Sequence, residues 1–141
     1  MEGMLQETEK AGNGLMPPVL TQTANALGDL LRDHKGADVV VLDLREQGAW
    51  TDFFVIATAT SSTHMDGLDR HIKEFCKKRE IEILRRSRKP DALEDEWRII
   101  DLGPIVIHLM NHRTRDFYEI ERLYHFASTN NPSFRFKSAD N

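Results

Sequence analysis

Two short runs of this chain are apolar at every position, and they limit the possible folds more than any other feature. Residues 39–42 (VVVL) and 53–56 (FFVI) contain only β-branched, aromatic or other apolar side chains. A strand with one face in water alternates apolar and polar residues, whereas a strand covered on both faces does not. We therefore predict two strands in the interior of a sheet that is covered on both sides.

Three other stretches carry apolar residues every three or four positions, the spacing of one helix face. The first predicts a helix that Gly36 ends as its C-cap, and the second a helix capped by one of the residues 61–63. The third predicts a helix that begins at Arg113. The stripes are Leu20, Ala24, Leu27 and Leu31; Met65, Leu68, Ile72, Phe75 and Cys76; and Phe117, Ile120, Tyr124 and Ala127.

The remaining patterns predict three more strands. Ile81 and Ile83 alternate with polar residues, as in a half-exposed strand. Residues 97–102 and 105–110 are separated only by Gly103-Pro104, and so short a link favours an antiparallel hairpin. The element order is then α-β-β-α-β-β-β-α. This order predicts the α/β (α+β) class, with one mixed sheet of about five strands flanked by helices.

The predicted elements lie between two polar stretches. Residues 1–17 are glycine-containing and end in Pro17-Pro18, which we interpret as a flexible tail closed by a stiff stop. Residues 18–127 form one predicted domain. Residues 128–141 are a second polar tail.

Composition excludes several classes of protein. The longest apolar run, Phe53–Ala57, is far too short to span a bilayer, so we expect no membrane partner. The acidic N-terminus does not resemble a secretory signal, and the single cysteine suits a reducing compartment, so we predict a cytoplasmic protein. The net charge of −4 argues against direct, sequence-specific nucleic-acid binding.

One basic run, residues 85–89, stands directly before the acidic residues 91–96. Two interpretations stay open. The run is either a solvated loop, or a polar surface that orients a charged partner by complementary potential.

The chain lacks the spaced motifs of the common catalytic sites. The chain has no HExxH, CxxC, GxGxxG, P-loop or GxSxG sequence. Asp43 and Asp52 stand at the ends of apolar runs, where paired carboxylates could hold Mg²⁺ for nucleotidyl transfer. No Asp-x-Asp pair follows Ala59–Ser62, as such an enzyme would require. We therefore expect no catalysis, no cofactor and no metal, with both carboxylates acting as surface or capping groups.

The predicted hairpin has an unusual composition. Alternation places Trp97, Ile99 and Asp101 on one face of the first strand, yet both faces of both strands are apolar. Either helices cover both sides, or one side forms an exposed apolar patch with Trp97 and Met110 at its centre. An exposed patch of that kind is typical of a protein-binding surface.

Three blocks of the chain resemble one family, the ribosomal silencing factors, also called Iojap-like proteins. The first block is Ala37–Arg45 (ADVVVLDLR) followed by Thr51–Ser62 (TDFFVIATATSS). The second is Trp97–Gly103 (WRIIDLG) with His108, and the third is Arg115–Tyr124 (RDFYEIERLY). The blocks occur in the family's order.

The resemblance implies a nucleotidyltransferase-like topology without catalytic residues. It also implies binding to ribosomal protein L-fourteen of the large subunit, which blocks joining of the small subunit and represses translation. Family members are often homodimers. The implied partner-binding residues are Trp97, Ile99, Asp101, His108, Met110, Arg115, Tyr118 and Glu121. Two alternatives stay open: a nucleotidyltransferase-like enzyme using Asp43 and Asp52, and a homodimeric adaptor with no ribosomal role.

Overall fold

A computed structural model describes residues 13–88, 96–118 and 120, without the side chains of residues 13, 86–88 and 118. After a short 3-10 turn at Asn13–Leu15, the chain forms eight elements in the predicted order. They are α1 (Pro17–Asp33), β1 (Ala37–Asp43), β2 (Phe53–Thr58), α2 (Ser62–Lys78), β3 (Arg85–Arg88), β4 (Trp97–Asp101), β5 (Ile105–Met110) and α3 (His112–Tyr118).

The strands form one mixed five-stranded sheet in the order β1-β2-β5-β4-β3. β2 and β5 pair in parallel, with Phe53 opposite Ile105 and Thr58 opposite Met110. The other three pairs are antiparallel, and β4 and β5 form the predicted hairpin. A parallel pair requires a long crossover, which here contains α2, β3 and β4. The predicted fold class is confirmed.

Both central strands are buried at every position. Alternate residues of β2 and β5 face α1 and α2 in one core, which includes Leu27, Leu68 and Ile72. The intervening residues face a second core on the other side of the sheet, which we call the second face. Its buried members are Val40, Leu42, Leu44, Phe54, Ile56, Trp97, Val106, Met110 and Ile120. The continuous apolar runs are therefore covered on both sides, as predicted.

The helix ends were predicted in part. Ser61 caps α2, because its side-chain oxygen accepts from the His64 N–H at 3.0 Å. The C-cap assignment of Gly36 is wrong. Lys35 holds the left-handed position with φ of 74°, and the Gly36 N–H donates to the Leu31 carbonyl at 2.7 Å. This is a Schellman motif in which lysine stands where glycine is usual.

Two other local predictions are wrong. Residues 81–84 are not a strand, and the third strand is instead the basic run Arg85–Arg88 at the edge of the sheet. Those four residues are therefore not a loop. Pro17 and Pro18 begin α1 and do not stop the chain before it. Proline is well suited to the first helical turn, where its missing N–H would have no intrahelical partner.

The last helix departs from its predicted apolar stripe. α3 begins one residue before Arg113, and Ile120 is buried on the second face. Phe117, however, is 76% exposed. Tyr124, Ala127 and the predicted tail 128–141 lie outside the described residues. Across the described part of the chain, no helix is long and apolar enough to cross a membrane.

Replacing Lys35 by glycine should stabilise the protein. A left-handed residue with a Cβ costs about 1–2 kcal/mol, and glycine avoids this strain at some cost in unfolded-state entropy. We expect Lys35→Gly to raise the free energy of unfolding by about 0.5–1 kcal/mol in urea titrations. Gly36→Ala is the contrasting variant, since an added Cβ would lie 2.8 Å from the Leu31 carbonyl oxygen. A loss of stability in Lys35→Gly would contradict the motif.

Candidate functional site

The β4–β5 hairpin is fixed internally by a hydrogen bond between two of the predicted site residues. The Trp97 Nε1–H donates to His108 Nδ1 at 3.1 Å, and both side chains are buried, 7% and 4% exposed. Phe54 of β2 lies edge-on to the His108 ring, with centroids 4.5 Å apart. The indole and imidazole therefore join the hairpin to the centre of the sheet.

The hydrogen bond from Trp97 and the burial of the ring determine the tautomer and the protonation state of His108. Because Nδ1 accepts a hydrogen bond, the neutral ring carries its proton on Nε2. Within the described residues Nε2 has no hydrogen-bond partner. Burial lowers the pKa of His108 to about 4. Protonation would also place a hydrogen on Nδ1 and break the bond to Trp97. His108 is consequently a neutral structural residue at physiological pH.

Two further predicted site residues also lie inside the protein. Met110 is fully buried on the second face. The Arg115 guanidinium is buried and donates to Thr58 Oγ1 at 2.9 Å, joining α3 to the end of β2. Of the two alternatives left open for the hairpin, the exposed apolar patch centred on Trp97 and Met110 is therefore wrong. The pattern could not reveal this, because burial of the second face depends on residues distant in sequence.

Ile99 and Asp101 are the hairpin site residues that stay partly exposed. Ile99 packs at the margin of the second face. Asp101 accepts a hydrogen bond from the Gly103 N–H at 2.8 Å, in the turn where Gly103 has φ of 97°. The turn is held further by Thr51, whose hydroxyl donates to the Gly103 carbonyl at 2.8 Å. The Asp101 carboxylate is thus oriented at one end of the hairpin.

The opposite end of the hairpin carries α3. Asn111 caps this helix by accepting from the Thr114 N–H at 2.8 Å, and Glu96 accepts from the Arg113 guanidinium at 2.7 Å. These contacts hold the helix beside the start of β4 and present Phe117 outward. The side chain of Tyr118 and all of Glu121 lie outside the described residues. Phe117 was missed as a surface residue, although it lies about 200° around the helix from buried Arg115.

The helix-facing side of β4 is held by charge. The Arg98 guanidinium contacts two carboxylates of α2, Asp66 and Asp69, the latter at 3.2 Å. Burial by itself lowers the pKa of Arg98, but hydrogen bonds and Coulomb attraction from both carboxylates together outweigh it and raise the pKa. The hairpin is thereby attached to α2 on one face and to Phe54 on the other.

The carboxylates considered for metal binding are arranged differently. Arg45 donates to Asp43 through its guanidinium, and its backbone N–H also donates to Asp43 Oδ1 at 3.1 Å. The side-chain hydrogen bond from Arg45 is the main cause of the lowered pKa of Asp43. The predicted capping role of Asp43 is confirmed. Among the described residues, no cluster of three histidine, cysteine or carboxylate ligands is suited to a metal ion.

Fold and site together define a small α+β protein whose motif residues build a rigid hairpin. Comparison with known proteins gives its family. The family model described as ribosomal silencing factor during starvation matches residues 17–140. The chain belongs to the ribosomal silencing factor family, which confirms the resemblance found in the sequence.

Individual relatives agree. The chain is 34% identical over 101 residues to the ribosomal silencing factor of Treponema pallidum, covering 72% of this chain and 88% of the relative. It is 32% identical to the chloroplastic protein Iojap of Arabidopsis thaliana, covering 70% of this chain but only 40% of that longer protein. A crystal structure from Chromobacterium violaceum is similar with a TM-score of 0.65 and 27% identity, covering 74% of this chain and 85% of that one.

The buried imidazole should make stability depend on pH. The pKa of His108 is lower in the folded state than its ordinary value near 6.5, so the folded protein binds fewer protons. The contribution of neutral His108 to the free energy of unfolding is complete above pH 6.5. It falls by about 3 kcal/mol in total as the pH falls toward 4. We expect His108→Gln to remove this pH-dependent part of the free energy of unfolding, as measured by urea titrations at pH 4–7.

His112→Gln is the matched control, because His112 is exposed on α3. In this variant the loss of stability that His108 causes between pH 7 and pH 4 should persist. Equal pH dependence in the natural protein and in His108→Gln would show that His108 does not remain neutral in the fold.

Proposed function

We propose that this protein silences ribosomes by binding the large subunit through ribosomal protein L-fourteen. It occupies the face that the small subunit must meet, and so represses translation. The observation that carries the proposal is family membership across residues 17–140, including the hairpin motif. Steric blocking requires no reaction chemistry, only an interface of roughly 1,200–2,000 Å² in total.

We assign the docking surface to the outer margin of the hairpin and the neighbouring helix. Ile99 and Asp101 are partly exposed there, and Phe117 supplies a large exposed ring. Tyr118 and Glu121 remain proposed contacts because they belong to the sequence block that resembles the family. Trp97, His108, Met110 and Arg115 act indirectly, because they are buried in the isolated chain and hold this surface in shape.

Charge supports the choice of partner. Ribosomal proteins are commonly basic because they lie against RNA, and a chain of net charge −4 is attracted to a basic protein surface. Asp101 and Glu121 would contribute charge at the contact. We place this binding in the cytoplasm. We also propose that binding requires no cofactor.

The direct test is cosedimentation with isolated large subunits, followed by a subunit-joining assay in sucrose gradients. The protein should travel with the large subunit and reduce the yield of joined ribosomes. A homodimeric adaptor with no ribosomal role would stay at the top of the gradient, and that result would overturn the proposal.

Among the residues that the structure describes, two strongly exposed aromatic side chains allow a matched test of the surface. Phe117 lies on α3, whereas Trp50, 69% exposed, adjoins Thr51 at the opposite end of the sheet. Truncation of an interface anchor typically costs about 2 kcal/mol or more. Phe117→Ala should therefore weaken large-subunit binding by about thirtyfold, while Trp50→Ala leaves it unchanged. The reverse result would remove α3 from the docking surface and centre that surface on Asp101 and Trp50 at the turn end of the hairpin.

If the protein acts without catalysis, a substitution at Asp43 should not affect its binding to the large subunit. This carboxylate is already bound by Arg45 and is not directed at a shared cation site. Asp43→Asn should leave large-subunit binding and inhibition of joining intact, as measured by the same gradients. Saturable Mg²⁺-dependent ATP or GTP binding by the isolated protein, lost in Asp43→Asn, would favour the nucleotidyltransferase-like alternative.

A further inference from the structure

Three of the histidines that the structure describes meet at the last turn of α1. His34 forms the C-cap of α1, and its ring stacks on the ring of His71 from the middle of α2. The ring centroids lie 3.5 Å apart, with 16° between the ring planes. From the start of α2, His64 Nε2 lies 2.9 Å from the His34 carbonyl oxygen. Imidazole side chains therefore join the two helices at this point, and we call the three residues the histidine cluster.

The hydrogen bonds of His64 match a neutral ring. The Thr60 N–H donates to Nδ1 at 3.0 Å, so the proton of the neutral ring is on Nε2 and is donated to the His34 carbonyl. A second proton would occupy Nδ1 and break the bond from the Thr60 N–H. The Thr60 hydroxyl, 3.2 Å from Nδ1, can then accept instead. The link from His64 to α1 can therefore survive protonation, which leaves the stack as the pH-sensitive part of the cluster.

The stack tolerates one added proton but opposes two. A single charged ring has no like charge to face within the stack. Two charged rings place two positive charges at the 3.5 Å spacing of the ring centroids. Their repulsion acts directly across the contact between α1 and α2. Histidine changes its charge between about pH 5 and pH 8, so the second proton becomes available at mildly acidic pH.

Other charged groups surround the stack without removing this repulsion. Those of the adjoining groove, together with their neighbours in sequence, are Asp29, Asp33 and Glu74 and the cations Arg32, Lys35, Arg70, Lys78 and Arg79. Asp29 is paired with Arg32 at 3.0 Å, and Glu74 lies 3.8 Å from His71 Nδ1. The carboxylates favour a first proton on the stack, whereas the more numerous cations oppose a second.

The balance is visible at His71. Burial lowers the pKa of His71, and the charges of His34 and Arg70 lower it further, against the attraction of Glu74. The folded protein therefore binds this proton less readily than the unfolded chain, whose histidine pKa lies near 6.5. The stabilising effect of the neutral stack is complete above that pH and is lost as the pH falls below it.

We propose that the histidine cluster is a pH-sensitive contact, closed at neutral pH and opened at mildly acidic pH by double protonation of the His34–His71 stack. Opening separates the last turn of α1 from α2, while Leu31 stays in the core. It widens the groove of about 430 Å³ that Leu30 and Phe75 line together with the two rings. The contact belongs to the fold itself, so this behaviour does not depend on the proposed function.

Hydrogen exchange in the native state, followed by NMR, tests the opening at the backbone. The amides of residues 34–36 donate to carbonyls in the last turns of α1 and report its contact with α2. Amides of β2 and β5 report global unfolding, which includes the effect of His108. After correction for intrinsic exchange, protection at residues 34–36 should fall about fivefold relative to β2 and β5 between pH 7 and pH 5. This factor is expected for two unit charges about 4 Å apart in water.

A matched variant removes the charge and keeps the ring. His71→Phe still offers a ring to His34 but cannot be protonated, so relative protection at residues 34–36 should no longer depend on pH. His112→Phe, at an exposed position of α3, should behave as the natural protein does. An equal loss of protection in the natural protein and in His71→Phe would overturn the stack as its cause.

Ring-proton titrations of the natural protein give a second measurement that requires no variant. The His34 and His71 rings should take up protons in two coupled steps, because each senses the charge of the other. Independent single-step titration of the two rings would overturn the coupling. Coupled titration with constant protection at residues 34–36 would mean that the rings separate by a rotamer change, and would overturn the opening of α1 from α2.

Discussion

The fold depends on covering both faces of one parallel strand pair. β2 and β5 lie side by side in the middle of the sheet and are buried at every position. Helices α1 and α2 cover one face with apolar side chains. The second face is closed in part by Trp97 and Ile120. A central apolar pair that lacked either cover would expose a large hydrophobic surface to water.

This requirement gives the hairpin its chemistry. Trp97 and Met110 are needed to cover the second face, so they are not available as exposed anchors. The indole N–H must then find an acceptor inside the protein, and His108, whose pKa is lowered by burial, provides it through Nδ1. The proposed docking surface is built around this rigid interior, from residues at its margin.

The charges divide into two groups with different roles. Arg98 and Arg113 are paired with carboxylates and hold β4 against α2 and α3. Lys73 and Lys77 on the outer side of α2 are exposed, and within the described residues neither forms an ion pair. The net charge of −4 therefore does not describe how charge is arranged locally on the chain.

Local patterns in the sequence were sufficient for the element order, the hairpin and a cap of α2 within residues 61–63, because each depends on residues close in the chain. The family also followed from sequence, since its motifs are contiguous blocks. Only the tertiary structure decided that β3 begins at Arg85, that Met110 is buried and that Phe117 is exposed. Each of these depends on which distant segment packs against a residue, and neither periodicity nor composition contains that information.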